Sequence, residues 1–531
     1  MSEKNSHEVL IEPFGTVLSA APGTNLGSLL REKGIPFRSD CGGRGVCGKC
    51  ALTITGNGEA ASRPALACQT QILSDLRVEL PLSGLINPSE AVDKATDLEV
   101  PPLPKSARPG FGIAVDLGTT TIAGFLCDYT TGTVAGAVVV PNPQSIYGAD
   151  VMSRITAADS DPKHLRLLTR LAVSTVDEIV LTLTKNAGAA PEKVEEIVLV
   201  GNPTMLHLFL GINPACLGQS PFMPAFRERQ ERTASEVGLT ANAHAKITTL
   251  PLVSGFVGAD LVSAALARKM CDCEDGTILI DIGTNGEIVL KSNGNFYATS
   301  CATGPAFEGA TIAHGMLALS GAIDSFRFDP GDGAPHYTLI RKRAGEPRRA
   351  RGICGSGLIS LAAALLEQGL ILPHGRFNPD SANPGLRPGT NGAAEFVVVR
   401  SAETETGRDI VLTQADVRAL QLAKGAVHAG IELLCRSAGC GYPKEIILAG
   451  AFGSHVNVND LLTVGLLPPG SANIRVVGNA AGMGAVEAVL DPQFRKDADA
   501  FAERITVVDL AAQPDFQDVF LNSLGFPAGA R

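Results

Sequence analysis

Tryptophan is absent from the 531 residues of this chain, and aromatic residues together make up only 5% of it. A basic surplus is absent too: the formal net charge is −10, which excludes the basic footprint of nucleic-acid-binding proteins. No apolar run is long enough to cross a bilayer, and the polar start, Met1–His7, does not open a signal peptide. The twelve cysteines do not form a disulfide framework. We therefore expect a soluble cytoplasmic protein with no nucleic-acid or membrane partner.

Four cysteines near the N-terminus carry the first chemical signal. Five, two and seventeen residues separate them in order, and the short gaps hold glycines and the cations Arg44 and Lys49; the four are Cys41, Cys47, Cys50 and Cys68. Glycines let backbone N–H groups approach sulfur, and cations offset the charge of four thiolates. The set resembles the ligands of a [2Fe–2S] ferredoxin. Structural zinc is the alternative, although only one Cys-x-x-Cys pair occurs, and unrelated thiols are another.

The residues around these cysteines predict a small domain of two strands, a helix, the cysteine loop and further strands. The predicted helix is Leu26–Lys33, capped by Asn25, and the last strand is Leu76–Leu80. This order is that of a β-grasp ferredoxin. The following stretch, Gly84–Gly110, is rich in proline and predicts a linker or spacer.

Two similar hairpins carry the second signal. An apolar strand ends in Asp116, turns at Gly118 and resumes through Thr119, Thr120 and Thr121. The same pattern recurs 165 residues later, with Asp281 followed by Gly283, Thr284, Asn285 and Gly286. Glycines and hydroxyl residues in such a turn can bind phosphate oxygens, and an aspartate at the strand end can hold Mg²⁺ or orient water. A domain-scale duplication is indicated, whereas the P-loop and Gly-x-Gly-x-x-Gly motifs are both absent.

The paired hairpins resemble the phosphate loops of the acetate kinase, sugar kinase, Hsp70 and actin superfamily. A later strand leads into Gly450, Ala451 and Gly453, which resemble the adenosine loop of that superfamily. The segment Gly478–Ala485 resembles its second connecting segment. A duplicated fold without a ligand is the alternative.

Several single residues near these motifs have two interpretations each. Glu308, in a glycine-rich segment, could polarise the water that attacks the γ-phosphate, or lie in a surface turn. Asn202 could line the cleft, although a simple Asn-Pro turn is favoured. Asp260 could serve Mg²⁺, but a helix cap is favoured. Lys424 could reach the nucleotide or be solvated, and Ser356 could contact a macrocycle or merely open a helix.

Across nearly the whole chain, the combination resembles one family, the reductive activators of corrinoid enzymes. This resemblance implies an α+β multidomain protein in which a β-grasp [2Fe–2S] ferredoxin precedes a duplicated ribonuclease H-like α/β ATPase. The expected domains are a ferredoxin at 1–85, a linker at 86–110, a first lobe with the middle domain at 111–270 and an ATP-binding second lobe at 271–531.

The resemblance also implies roles, cofactors and partners. Asp116, Asp281 and Glu308 would be catalytic, both hairpins would bind ATP and Mg²⁺, and the four cysteines would hold the cluster. The implied reaction returns inactive Co(II) to Co(I) in a corrinoid protein of a methyltransferase system, with an upstream low-potential electron donor and a homodimeric state. Three alternatives stay open: a dehydratase-type activator, a ferredoxin-fused small-molecule kinase and a nucleotide-binding redox sensor.

Overall fold

The computed structural model of the chain describes residues 6–12, 15–35, 37, 39, 42–43, 45, 50–56, 62–80, 109–340, 349–389, 392–450, 456–468, 470 and 473–528. The predicted linker at 86–110 lies almost wholly outside these residues. No helix in the described part of the chain is long and apolar enough to span a membrane.

A five-stranded sheet and one helix form the N-terminal domain within the described residues. These elements are β1 (His7–Glu12), β2 (Thr16–Ala20), α1 (Leu26–Glu32), β3 (Ala51–Gly56), β4 (Arg63–Leu66) and β5 (Leu76–Glu79). The strand order is β2-β1-β5-β3-β4, and β1 runs parallel to β5 in the middle while the outer pairs are antiparallel. The Asn25 side chain caps α1 by accepting from Ser28 N. The predicted β-grasp fold and its helix are confirmed.

The first lobe is built on a six-stranded sheet in the described residues. Its elements are β6 (Phe111–Leu117), β7 (Thr121–Asp128), β8 (Thr133–Pro141), α2 (Val151–Ser160), α3 (Pro162–Asn186), β9 (Val194–Val200), α4 (Pro203–Phe209), β10 (Glu231–Thr233), α5 (Ala234–Val237), β11 (Lys246–Thr249) and α6 (Ala259–Ala267). The first three strands form an antiparallel meander, and β9 and β11 add in parallel beside β6. This arrangement is the ribonuclease H-like pattern.

The second lobe repeats that pattern. Its elements are β12 (Thr277–Ile282), β13 (Gly286–Ser292), β14 (Asn295–Cys301), β15 (Ala322–Phe328), β16 (Pro335–Leu339), β17 (Gly352–Ile353), α7 (Gly355–Glu367), β18 (Leu386–Pro388), β19 (Ala394–Val399), β20 (Ile410–Thr413), α8 (Gln414–Ser437), β21 (Glu445–Gly450), α9 (Val458–Thr463), β22 (Asn473–Val476), α10 (Ala480–Leu490), α11 (Pro492–Glu503), β23 (Ile505–Val507) and α12 (Phe516–Asn522). Strands β12, β13 and β14 form the meander, and β21 and β22 add in parallel. The duplication predicted from the two hairpins is therefore confirmed.

The helices that follow β22 join the two lobes. Helix α10 packs on α6 and on β6, and both helices belong to an apolar core that reaches from the first sheet to β12 and β21 of the second. Helix α11 is fixed to the first lobe by Arg495, whose guanidinium donates to both carboxylate oxygens of Glu196 on β9 in a buried pair. The expected division at residue 270 thus separates the strands of the two sheets. It does not separate the helices in the same way, because α10 and α11 follow the second sheet in sequence but bury their apolar faces against the first lobe.

Candidate functional site

The two predicted phosphate loops meet at the bottom of a cleft between the lobes. Asp116 is the penultimate residue of β6 and Asp281 that of β12, so both carboxylates stand where a strand enters its turn. The turns touch, since the Oγ1 atoms of Thr120 and Thr284 are 3.1 Å apart. A cavity of about 440 Å³ opens at this contact. Of the predicted phosphate-binding residues, those that line it are Gly118, Thr119, Thr120, Thr121, Gly283, Thr284 and Asn285.

Two glycines at the cavity are required by close contacts. A methyl group on Gly118 would lie 2.5 Å from the carbonyl oxygen of Thr121. Gly450 has a φ of +100°, and a methyl group there would collide with the Asp281 carboxylate. By contrast, Gly286 starts β13 beside the cavity and is not one of its described lining residues.

Five carboxyl groups line the cavity, and four of them come from β6, α6, β12 and β13. Burial raises the pKa of Asp116 to about 6, and a hydrogen bond from Asn479 Nδ2 at 2.8 Å limits the increase. Burial, then the charges of Asp260 and Asp116, raise the pKa of Asp281 to about 8. The pKa of Asp260 rises to about 7 and that of Glu287 well above its usual range, again mainly through burial. Carboxyl groups held together in this way are disfavoured in their charged forms, and a bound cation would favour those forms and offset their charge towards phosphates.

For two of these four groups the prediction from sequence was wrong or absent: the other role was favoured for Asp260, and Glu287 was not singled out. The favoured interpretation of Asp260 as a helix cap is wrong, because Gly258 is the cap of α6 and Asp260 lines the cavity. Glu287 was not predicted at all, yet it is 5% exposed, pairs with Asp281 across β12 and β13, and has an Oε1 atom with no hydrogen-bond partner among the described residues. The sequence feature that could have identified Glu287 is its register opposite Asp281 in the second hairpin. In the first hairpin, the residue opposite Asp116 is Ala123.

Glu308 lies inside the cleft and not in a surface turn. Its side chain is 9% exposed, and its Oε1 accepts a hydrogen bond from Thr284 Oγ1 at 2.8 Å. Its Oε2 is buried without a partner among the described residues. Burial raises the pKa of Glu308 to about 7, which the bond from Thr284 partly opposes. The hydroxyl of Thr303 holds the same turn by donating to the carbonyls of Gly283 and Thr284. A carboxyl group placed in this way can orient a water molecule beside a phosphate.

The remaining single-residue candidates have distinct positions. Asn202 caps α4 by accepting from Met205 N and also donates to Thr119 Oγ1 at 2.9 Å, so it is both a turn residue and part of the cleft. Ser356 lies in the first turn of α7, buried, with its side chain at the cavity wall. Its contact with a corrinoid macrocycle stays a prediction.

Lys424 is not solvated, and it is not one of the described residues that line the cavity. Its ammonium group is buried, donates to the Gly525 carbonyl and lies over the Phe526 ring. Both interpretations of this lysine were wrong, because the C-terminal segment folds back over α8 and covers it.

A third part of the cavity wall, next to the Asp281 carboxylate, suits a nucleoside. Gly450, Val477 and Gly478 form its wall, and Arg268 Nη2 donates to the Val477 carbonyl at 3.0 Å. The predicted adenosine-loop residues Ala451 and Gly453 lie outside the described residues. Arg268 is the one basic side chain among the described residues that line the cavity, and sequence spacing carried no signal for it.

The second candidate site is the cysteine loop. Cys50 and Cys68 bring their Sγ atoms to 3.3 Å from each other, close enough for both to bind one iron. Ala67 N donates to the Cys50 carbonyl, and Asn25 Nδ2 donates to that of Cys68. Gly42, Gly43 and Gly45 all have φ values between +64° and +90°. Cys41 and Cys47 lie outside the described residues.

These sites fit the expected cofactors. The orphaned oxygens of Glu287 and Glu308 and the Thr120–Thr284 contact suit Mg²⁺ and phosphate oxygens, and the adjacent Cys50 and Cys68 suit iron. No three described acidic, histidine or cysteine side chains enclose a metal ion by themselves. Mg²⁺ retains several waters and is usually held by one or two carboxylates together with substrate phosphates.

Comparison with known proteins decides the family. The chain is 30% identical to the corrinoid activation enzyme RamQ of Eubacterium limosum over 575 aligned residues, which cover 93% of this chain and 94% of that protein. The chain belongs to the corrinoid activator family. Three family models match this activator: the 2Fe-2S iron-sulfur cluster binding domain at 9–73, the RACo middle region at 111–272 and the C-terminal ASKHA domain of RACo at 275–530.

Two further relatives agree. The activator is 26% identical to a [Co(II) methylated amine-specific corrinoid protein] reductase of Methanosarcina barkeri, over 78% of this chain and 77% of that protein. It matches the solved structure of a reductive activator for a corrinoid, iron-sulfur protein with a TM-score of 0.74 and 29% identity, and 98% of each chain is covered. A [2Fe–2S] cluster, ATP and Mg²⁺ are the cofactors of this domain combination.

Proposed function

We propose that this protein uses ATP to drive one electron from its [2Fe–2S] cluster to the Co(II) of a corrinoid protein, which returns the cobalt to Co(I). The observation that carries the proposal is that a cluster-binding domain and a two-lobed nucleotide cleft occur in one chain that covers nearly the full length of a corrinoid activation enzyme. Co(II) gains the electron that the reduced cluster loses. ATP supplies the unfavourable part of the transfer by shifting conformational populations.

The cleft residues divide the work on ATP. Backbone and hydroxyl groups of Gly118–Thr121 and Gly283–Gly286 would hold the phosphates from opposite lobes. Asp116 and Asp281 would hold Mg²⁺, partly through water, with Asp260 and Glu287 close enough to assist. Glu308 would orient the attacking water, and its raised pKa places its titration near neutral pH. Gly450, Ala451 and Gly453 would border the adenosine.

ATP could change the relative position of the two lobes through the contact between their phosphate loops. Thr120 and Thr284 belong to different lobes, and their hydroxyl groups are in contact. A γ-phosphate held by both turns would bind one relative position of the lobes more tightly than the other, and hydrolysis would remove that preference.

When bound, the [2Fe–2S] cluster supplies a one-electron carrier. Cys41, Cys47, Cys50 and Cys68 would ligate it, and the glycines at positive φ let backbone N–H groups reach the sulfurs. We propose that a low-potential electron carrier reduces it, that the partner is a corrinoid protein of a methyltransferase system, and that the protein acts as a homodimer in the cytoplasm. Ser356 is the predicted contact with the corrinoid protein.

An anaerobic assay tests the function. Iron-loaded protein, a low-potential reductant and a Co(II) corrinoid protein are mixed, and the Co(I) absorbance is followed with and without Mg-ATP. We expect an increase that requires Mg-ATP. If no corrinoid protein of the same genome gives one while the cluster and nucleotide are both bound, the proposal fails and a nucleotide-binding redox sensor or kinase becomes the better account.

A further inference from the structure

The ferredoxin domain packs directly on the first lobe, in part through Gly42 of the cysteine loop, which we also call the cluster loop. Its apolar core includes lobe residues from the short turn Pro143–Tyr147 and from α3, among them Tyr147 and Leu167. A methyl group built on Gly34 would lie 3.5 Å from Leu167 Cδ1, and one on Gly42 would lie 3.1 Å from the Tyr147 carbonyl oxygen. Gly42 follows the predicted ligand Cys41 in sequence. The segment 142–148, which we call the seat, therefore lies against the cluster loop at Gly42.

The seat is also bonded to the first phosphate loop. Asn142, which caps the turn, donates from Nδ2 to the Gly118 carbonyl at 2.9 Å and from its backbone N to the Thr120 carbonyl at 2.8 Å. At the far end of the seat, Arg154 of α2 donates from Nη2 to the Thr119 carbonyl at 2.6 Å and from Nε to the Gly148 carbonyl at 3.2 Å. One guanidinium group thus holds the backbone of the phosphate loop and the backbone of the seat together.

Arg154 is an unusual side chain for a stable core. It is 0% exposed, and its described hydrogen bonds go to carbonyl groups, to Gln144 Oε1 and to Met205 Sδ, not to a carboxylate. Burial lowers its pKa to about 9, although the nearby Asp150 opposes this. A buried guanidinium without an ion-pair partner is costly, and an apolar side chain of similar size would fill the space at lower cost. An apolar side chain, however, lacks the planar guanidinium group, whose several N–H donors can bond two separate backbone segments at once.

We propose that Arg154 is a positioning residue that couples nucleotide binding at the first phosphate loop to the seating of the ferredoxin domain. The proposal rests on the function proposed above, because a seated ferredoxin domain and one that delivers an electron to a partner are two different states. A nucleotide that moves the Thr119 carbonyl would shift the Gly148 carbonyl through Arg154, and hence the surface on which the cluster loop rests. Coupling of this kind is reciprocal: if nucleotide changes the seating equilibrium by some factor, seating changes nucleotide affinity by the same factor.

Hydrogen exchange of the full-length, iron-loaded protein under anaerobic conditions tests the coupling without any corrinoid protein. Amide exchange of α1 and of the seat is compared with and without a saturating non-hydrolysable Mg-ATP analogue. We expect the analogue to change the exchange rates of both segments in the native protein. In Arg154→Met the change at α1 should disappear while the analogue still binds, and Arg154→Lys should restore part of it. Arg232→Met, an exposed arginine on the same lobe, should behave like the native protein.

A double-mutant cycle gives the second test. Leu167→Asn weakens the seating contact with the ferredoxin domain and should change the Kd of the analogue by about fivefold or more, at the lower end of usual coupling factors. In the Arg154→Met background the same substitution should leave that Kd unchanged. If Arg154→Met does not fold, Asn142→Ala, which removes one bond between the seat and the loop, replaces it.

Three results would overturn the proposal. The first is that the analogue does not change the exchange rates of α1 in the native protein, and the second is that it changes them equally in Arg154→Met. The third is that Leu167→Asn changes the Kd of the analogue by the same factor in the native and Arg154→Met backgrounds. None of them bears on Co(I) formation, so failure of this coupling is distinguishable from failure of the proposed function.

Discussion

Asp116 and Asp281 occupy the same place in the two halves of the fold, but their surroundings differ. Burial raises the pKa of both, but a hydrogen bond from Asn479 limits that of Asp116 to about 6, whereas the charges of Asp260 and Asp116 add to the burial of Asp281 and bring its pKa to about 8. A nearby cation stabilises the charged form of a carboxyl group most where the pKa of that group is raised most, so Asp281 is the better group for Mg²⁺. We therefore expect the second hairpin to carry more of the chemistry.

Asp281→Ala tests this assignment. It should reduce ATP hydrolysis by about 100-fold or more, the usual range for loss of a catalytic carboxylate, and leave the visible absorption of the iron cluster unchanged. Hydrolysis is measured by phosphate release at saturating Mg-ATP. The exposed Asp518 of α12 provides a control, since Asp518→Ala should hydrolyse ATP normally. Native rates in Asp281→Ala would refute the role.

Gly118 and Gly283 form a natural matched pair. A methyl group on Gly118 would lie 2.5 Å from the Thr121 carbonyl oxygen, while one on Gly283 would find its nearest neighbour, the Asn285 carbonyl oxygen, at 3.7 Å. Overpacking of this kind costs about 1–3 kcal/mol, so Gly118→Ala should weaken ATP binding by about tenfold or more. Gly283→Ala should have the smaller effect. Calorimetric titration with a Mg-ATP analogue checks the order, and a reversed order would show that the described turn geometry does not control binding.

The cysteines provide a separate residue-scale test. Cys68→Ser should abolish or strongly reduce the iron content, because Cys68 shares its predicted iron with Cys50 3.3 Å away. ATP hydrolysis in the absence of a partner should persist, since the cleft is built from other elements. Cys216→Ser, outside the ferredoxin domain, should keep full iron. Retention of native iron by Cys68→Ser would remove it from the ligand set.

Single residues were predictable where local sequence carries the geometry. The glycine–threonine turns and the four-cysteine spacing can be recognised in the sequence, because residues close together in the chain form them. Local sequence could not predict the burial of Asp260 and Arg154 or the covering of Lys424, since each depends on contacts with segments distant in the chain. Burial of a charged side chain leaves no mark in local spacing.

At the scale of elements, each sheet could be predicted in outline from its hairpin. The strand–Asp–turn–strand pattern specifies two antiparallel strands, and its repetition indicates a duplicated domain. The helices were harder to assign. Helices α10 and α11 follow the second sheet in sequence but bury their apolar faces against the first lobe, because only the folded arrangement shows which sheet face is uncovered.

The carboxyl groups brought together by β6, α6, β12 and β13 predict a pH dependence. The folded-state pKa values of Asp116, Asp260 and Asp281 are about 6, 7 and 8, whereas an unfolded aspartate titrates near ~4. Between about pH 4 and pH 8 the folded state holds protons that the unfolded state has released, so the free energy of unfolding should fall as pH rises through this window.

Thermal unfolding of the nucleotide-free protein between pH 5 and pH 8 measures this dependence. We expect a lower midpoint at pH 8, and a smaller decrease when Mg²⁺ and an ATP analogue occupy the cleft, since the cation replaces the protons. Asp281→Asn should also make the pH dependence shallower. A midpoint of the nucleotide-free protein that rises steadily from pH 5 to pH 8 would contradict the described burial of these groups.

At the scale of the whole molecule, the chain combines a cluster domain and a nucleotide cleft that both contact the first lobe. The seat contacts the cluster loop on one side and is bonded to the first phosphate loop on the other. This arrangement makes ATP-controlled electron delivery a property of the assembled protein, and neither domain supplies it by itself. The domain order could be predicted from sequence, but the packing of the ferredoxin domain on the seat could not, because no motif marks that surface.

The central claim is that electron transfer from cluster to cobalt requires ATP at the cleft. The most direct measurement starts from protein whose cluster has been reduced and freed of excess reductant, mixed anaerobically with a Co(II) corrinoid protein. Cluster oxidation and Co(I) formation are followed together, with Mg-ATP, with Mg-ADP and without nucleotide. The account predicts one Co(I) for each cluster oxidised, and only with Mg-ATP. Equal Co(I) formation in all three mixtures would contradict it.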